Sequence, residues 1–175
     1  FSSLKRLLTL FEMEEELSIK YSSSPDNYSE PNRFNVRKKY WQQLLPLIKG
    51  TNLFSNVNPS KDHWLSTGAG TAGVSYTFVI TKSFVRIELT ISTSSKETNK
   101  IYFKKLHKNK GAIEQSFGNE LVWEELPENK MSRIKIEKQG LNLFNESDWD
   151  TMNEFMITTL PKFEKAIQPF IKNLR

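Results

Sequence analysis

The sequence predicts an α+β domain whose antiparallel sheet is built from two hairpins, in the order hairpin, helix, hairpin, helix, with additional N-terminal helices. Three observations carry this. From residue 74 the apolar residues alternate instead of recurring every three or four positions. Each of two alternating stretches is followed by an amphipathic helical one. Hydrophobic residues make up 37% of the chain, with four Trp and twelve Phe in 175 residues, enough for one packed core.

Taken in order, residues 2–20 read as a helix, with Leu4, Leu7, Leu8 and Phe11 at helical spacing. "YSSSPDNYSEPN", residues 21–32, reads as a linker, so the chain divides into an N-terminal helix and linker (1–32) and a single α+β domain (33–175). A second helix follows Asn35 as its N-cap, turning Tyr40, Trp41, Leu44, Leu45 and Ile48 inward. Pro46 is expected to kink or shorten it and Gly50 to stop it. Val74, Tyr76, Phe78 and Ile80 then share one face of a strand. After the Thr81-Lys82-Ser83 turn, Val85, Ile87, Leu89 and Ile91 share the inward face of the next, leaving Arg86, Glu88 and Thr90 outward.

Residues 97–117 read as a helix with Tyr102, Phe103, Leu106, Ile113 and Phe117 on one stripe, softened at Gly111 and ended by Gly118. That helix is expected to lie over Tyr76, Phe78, Ile87 and Leu89. A second hairpin follows: "LVWEEL" (121–126), a turn at 127–130 and "MSRIKIEK" (131–138). Trp149, Met152, Met156, Phe163, Ile167, Phe170 and Leu174 mark a last helix, capped by Asn145 or Ser147 and bent or divided at Pro161.

No apolar run approaches the roughly 18 to 20 residues that cross a bilayer, and charges interrupt the first apolar residues, so neither a membrane anchor nor a secretory signal is read. The absence of cysteine excludes disulfides, thiolate metal sites and a cysteine nucleophile, and fits a cytoplasmic protein. The chain opens on Phe1 rather than Met, which leaves room for residues upstream.

Several motifs match catalytic signatures in letters only. Gly68-Ala69-Gly70-Thr71-Ala72-Gly73 spells G-x-G-x-x-G, but the loop "NPSKDHWLSTG" precedes it and a strand follows. A dinucleotide loop needs the reverse, a strand before and a helix N-terminus after, to hold the pyrophosphate. No cofactor is expected. Glu128-Asn129-Lys130 has the acid-x-lysine spacing of a metal-dependent nuclease but falls in a turn; Glu88-Leu89-Thr90 is on a strand but lacks the lysine. Glu88 reads more simply as a surface partner of Arg86. His63 and His107 are too few and too separated for a metal site, and Asp62, His63 and Ser66 are too close in sequence for triad geometry. His107 reads as a solvated residue. No catalytic or metal-binding residue is expected.

The charge is more informative. Six lysines and one acid between Lys96 and Lys110 account for the whole net charge of +5, because the remainder holds nineteen bases and nineteen acids. Lys96, Lys100, Lys104 and Lys108 lie at successive i+4 steps, opposite Leu106 and Ile113, and form a cationic ridge. A solvated helix face is the plain alternative.

The segments "RKKYWQQLLPLIKG", "FVRIELTIS", "IYFKKLHKNKGAIEQSFGNELVWEELPENKMSRIKI" and "DWDTMNEFMITTLPKFEKAIQPFIKNL" together resemble a bacterial and archaeal domain of unknown function. Its distinctive elements are Tyr40-Trp41, the Val85 to Leu89 core, Phe117-Gly118, the Leu121 to Glu124 run and Ser132-Arg133-Ile134. The resemblance spans residues 33–174. It implies an accessory domain found downstream of nuclease-like segments in restriction- and defence-associated proteins, and offers no catalytic residues to carry over.

The expected function is therefore a nucleic-acid-binding module of a nuclease or restriction-type protein. It would contact DNA or RNA phosphates through Lys96, Lys100, Lys104 and Lys108, with Arg86 and Arg133 at corresponding outward positions of the two hairpins. Its protein partner would be a nuclease domain in the same or another chain. The alternatives are a protein-interaction or dimerisation domain, and a divergent metal-dependent nuclease using Glu88 with an unplaced acid.

Overall fold

The computed structural model describes residues 30–175, with the backbone alone for Glu30 and Pro31. The helix expected over 2–20 and nearly all of the 21–32 linker lie outside the described residues. The chain runs through helix α1 (Glu30–Leu44), a 3-10 turn (Leu45–Leu47), strands β1 (Trp64–Gly68), β2 (Val74–Ile80) and β3 (Phe84–Ile91), helices α2 (Lys96–His107) and α3 (Lys110–Phe117), strands β4 (Val122–Glu124) and β5 (Ser132–Gln139), a second 3-10 turn (Glu146–Asp148) and helix α4 (Trp149–Ile171). The strands form one antiparallel sheet in the order β1-β2-β3-β5-β4. The fold is α+β, as the alternation predicts.

The register follows from that alternation. Ile87 pairs with Phe78, Leu89 with Tyr76 and Val85 with Ile80, so these side chains share one face, and each is buried. Full burial of such a side chain contributes roughly 1.5–3 kcal/mol. The helical cover differs from the expectation of a single 97–117 helix. From α1, Trp41 stacks on Phe78, which also stacks on Phe54 with centroids 4.3 Å apart. From α4, Phe163 meets Tyr76 edge-on at 6.1 Å. Helices α2 and α3 add Phe103, Leu106 and Ile113 to the same core. The longest apolar stripe belongs to α4, which explains why it shares the sheet.

Four local expectations are revised. Asn35 lies inside α1 rather than capping it, since the helix already starts at Glu30. The 97–117 helix is two helices: the chain leaves helical geometry at Asn109 (φ −104°, ψ 14°), and α3 swings onto α4, where Phe117 meets Phe163 edge-on. Helix α4 runs undivided through Pro161 and Pro169, held by residues buried on both sides of Pro161, among them Leu160 and Phe163. Residues 64–68, read as loop, form the edge strand β1. Other punctuation is as expected, since α1 ends before the turn that holds Pro46 and Gly118 ends α3 at φ +90°, but Asn145 caps the 3-10 turn by accepting from the Ser147 amide, and the N-cap position of α4 itself is Asp148.

Candidate nucleic-acid interface

The outer face of the sheet, opposite the core, carries Arg86 and Glu88 from β3, Arg133, Lys135 and Glu137 from β5, and Glu124 from β4. Their charges alternate around a closed ring. Arg86 reaches Glu88 at 3.3 Å and Glu137 at 2.9 Å. Lys135 reaches Glu137 at 3.0 Å and Glu124 at 3.1 Å. Arg133 closes the circuit, bonded to Glu124 and 3.8 Å from Glu88. Every cation thus meets two carboxylates and every carboxylate two cations, the compensation that charges removed from water require. Burial alone would raise the Glu124 carboxyl. The hydrogen bond and charge of Arg133, then those of Lys135, outweigh it and hold the group below its ordinary value.

A line of hydroxyls enters the ring from the far edge. Thr90 Oγ1 donates to Glu88 at 2.9 Å, Thr77 and Thr90 are 3.0 Å apart, and Ser66 and Thr77 are 2.7 Å apart. Each hydroxyl owns one proton, so with Thr90 committed to the carboxylate the donation runs from Ser66 to Thr77 to Thr90. Ser66 is occupied with Thr77 in this line, on the outer face of the sheet. Glu88 is paired with Arg86 as the sequence suggests, but it is no surface residue: it is 0% exposed. The structure brings Arg86 and Arg133 together on that one carboxylate. In this arrangement their guanidinium groups are held inside the sheet's own charge network.

The lysine stripe divides in the same way. Lys96, Lys104 and Lys108 are exposed on or beside α2. Lys100 departs from the expected solvated ridge. Its ammonium donates to the carbonyls of Glu125, Leu126 (2.8 Å) and Met131 (2.7 Å), with Ser132 Oγ at 3.0 Å. Burial, then the neighbouring Lys96 charge, lower the Lys100 pKa against an opposing pull from Glu125. Leu126 adopts φ +52°, a left-handed conformation unusual for leucine, within this cage. The adjacent Asn99 is buried and donates to the Lys130 carbonyl at 2.9 Å. Two consecutive residues of α2 therefore fasten the helix to the β4–β5 turn. Ser95 starts that helix by accepting from the Thr98 amide at 3.1 Å.

Fastening α2 to the turn leaves a groove of about 480 Å³ between the helix and β4, lined by Phe103, Lys104, His107, Lys108, Trp123 and Glu125. Its aromatic residues form a corner. His107 stacks on Phe103 (5.8 Å, 25°), and both stand nearly perpendicular to Trp123, at 89° and 72°. The indole is pinned: Trp123 Nε1 donates to Glu114 Oε1 at 2.9 Å, and the same oxygen accepts from the Leu121 amide at 2.9 Å. Desolvation pushes the Glu114 carboxyl up, but these two hydrogen bonds and the charges of Lys110 and His107 bring it below its ordinary value. The sequence reading missed this corner because His107 and Trp123 lie on different elements. The i, i+4 spacing of Phe103 and His107 was its one visible trace.

The glycine segment is the tight connection between β1 and β2. The Ala69 amide donates to the Val74 carbonyl, and the Val74 amide to the Thr71 carbonyl, both at 3.0 Å. A strand does precede the glycines, contrary to the loop expected there, but the element after them is the antiparallel β2. The helix N-terminus that would face a phosphate is replaced by a strand. Glu128-Asn129-Lys130 falls in the β4–β5 turn. His63 is buried just before β1. Among the described residues, no group of three or more His, Cys, Asp or Glu is placed to hold a metal ion, and no helix is long and apolar enough to cross a membrane.

A family model described as "Domain of unknown function (DUF4268)" matches residues 36–171, from the second turn of α1 to the last residue of α4. The match contains both the charge ring and the groove. No curated protein and no solved structure matches the chain.

Proposed function

The chain belongs to the DUF4268 family of domains of unknown function, and from its lysine-flanked groove we propose that it is a nucleic-acid-binding module serving a nuclease or restriction-type protein. The observation that carries this is the pairing of Lys104 and Lys108 with the aromatic corner they line. Lys100 is held by carbonyls, and Lys105 donates to the Leu174 carbonyl at 3.0 Å. The exposed lysines are then Lys96, Lys104, Lys105 and Lys108, with Lys110 at the start of α3, and of these Lys105 is engaged by the Leu174 carbonyl. Lysines contact phosphates without reading sequence, so binding is nonspecific, roughly micromolar or weaker at physiological salt, and falls steeply as salt rises. The accessory role beside a nuclease rests on the resemblance of residues 33–174 to domains found downstream of nuclease-like segments.

The test is an anisotropy titration of a labelled oligonucleotide at low and raised salt, with wild type and a Lys104→Glu/Lys108→Glu variant. Both lysines are exposed, so the variant folds. Wild-type binding that weakens with salt, and is lost in the variant, supports the proposal. Unchanged affinity in the variant overturns it and puts the protein-interaction reading first. The nuclease reading has less support, because each carboxylate near Glu88 is already held by two cations that a metal would have to displace.

A further inference from the structure

Resting on the nucleic-acid reading above, we infer that the groove takes one unpaired base, stacked at the Trp123–His107 corner, so that the domain binds single strands in preference to duplex. Phe103 is buried behind His107, so the ring surface offered to a ligand belongs to His107 and Trp123. The hydrogen bond to Glu114 fixes the indole before any ligand arrives, which removes the ordering cost of a mobile platform. The groove's volume, about 480 Å³, falls within the roughly 300–1,000 Å³ usual for small-ligand sites.

Charge orients the ligand. Glu125 lines the same groove and sits 3.8 Å from Lys104. A phosphate beside that carboxylate is repelled, so the phosphates lie towards the Lys108 end of the rim, one helical turn beyond Lys104, and a base edge bearing N–H donors turns towards Glu125. A duplex keeps its base faces stacked inside and presents only phosphates to this rim. An unpaired base has a free face of its own, whatever its identity.

The experiment titrates the full chain, at low salt, against a labelled 12-nucleotide single strand (length of about one helical turn, chosen from typical site sizes) and against the same sequence as a duplex. Wild type is expected to bind the single strand more tightly. Trp123→Leu is expected to lower single-strand affinity about 5- to 150-fold, the range for loss of one base–aromatic stack, and to leave duplex affinity unchanged. Trp123→Phe, which keeps a ring, restores most of the loss. Because Trp123 also supports the fold through Glu114, His107→Ala at an exposed position provides the second variant, with the same selective loss expected. If His107→Ala and Trp123→Phe both behave as wild type, and folded Trp123→Leu keeps its single-strand affinity while Lys104→Glu/Lys108→Glu loses it, stacking is overturned and phosphate binding stands. If wild type binds neither strand, both readings fall.

Discussion

Arg133 and Glu88 stand on adjacent strands, 3.8 Å apart, and join two hairpins although the two residues lie more than forty positions apart in the chain. Glu88 is also held by Arg86 and by the Thr90 hydroxyl, so its removal takes one of two carboxylate partners from each of two guanidinium groups inside the sheet. Glu88→Ala is expected to destabilise the domain by about 3–5 kcal/mol, as measured by urea unfolding. Glu88→Gln, which keeps the shape and an acceptor for Thr90, is expected to cost less. A loss near zero for Glu88→Ala would show that the ring contributes nothing to stability.

Within the lysine stripe, two neighbours of equal formal charge should respond differently. Lys100→Met removes the donor that satisfies the Glu125, Leu126 and Met131 carbonyls and is expected to cost about 1–3 kcal/mol. Lys104→Met, whose ammonium is exposed, is expected to stay within about 0.5 kcal/mol of wild type. Thermal melts of the two variants give the comparison, and equal losses would contradict the cage.

Glycines of the β1–β2 connection are likewise unequal. A Cβ on Gly73, at φ +77°, would lie 2.6–2.8 Å from the side chain and backbone of Thr93, whereas one on Gly68 meets nothing within 4 Å. Gly73→Ala is expected to cost more than about 2 kcal/mol through backbone strain and a contact that cannot yield. Gly68→Ala should be nearly silent. Chemical unfolding of both variants distinguishes this geometric role from a phosphate-loop role, in which either substitution would disturb ligand binding before stability.

Glu114 supplies a pH dependence whose sign is fixed. Its folded pKa lies below the ordinary 4.5, so its contribution is complete above that value and is lost as pH falls through the folded one. Glu114→Gln resembles the protonated form while keeping an acceptor for Trp123. The stability margin of wild type over this variant is expected to be positive at about pH 7 and to shrink progressively as pH falls below the ordinary 4.5. Urea midpoints measured from neutral pH into the acid range follow it, and a margin independent of pH would remove Glu114's charge from the account.

The core was legible because burial follows the period of the apolar residues: Val85, Ile87, Leu89 and Ile91 alternate over a full strand and are all buried. Strand β1 escaped because, of its five residues, only Leu65 lies buried in the core, too little alternation to recognise. The outer face was read correctly as a face and wrongly as surface at Glu88. Alternation assigns a side of the sheet, whereas exposure depends on what lies across it, and the partners of Glu88 come from residues 86 and 133. Lys100 shows the same limit. Its helical position was plain, but the carbonyls that surround it lie 25 to 31 residues downstream.

The ring also protects strand pairing from slippage. In the native pairing Arg86 faces Glu137, Glu88 faces Lys135 and Thr90 faces Arg133. Sliding β5 by one residue would turn its apolar set out of the core. Sliding it by two in one direction sets Arg86 opposite Lys135; in the other it sets Glu88 opposite Glu137. Each of these two-residue errors therefore places like charges face to face, which is destabilising in a sheet. Apolar alternation rejects the odd errors and charge order rejects the nearest even ones, so β3 and β5 have a single alignment that satisfies both.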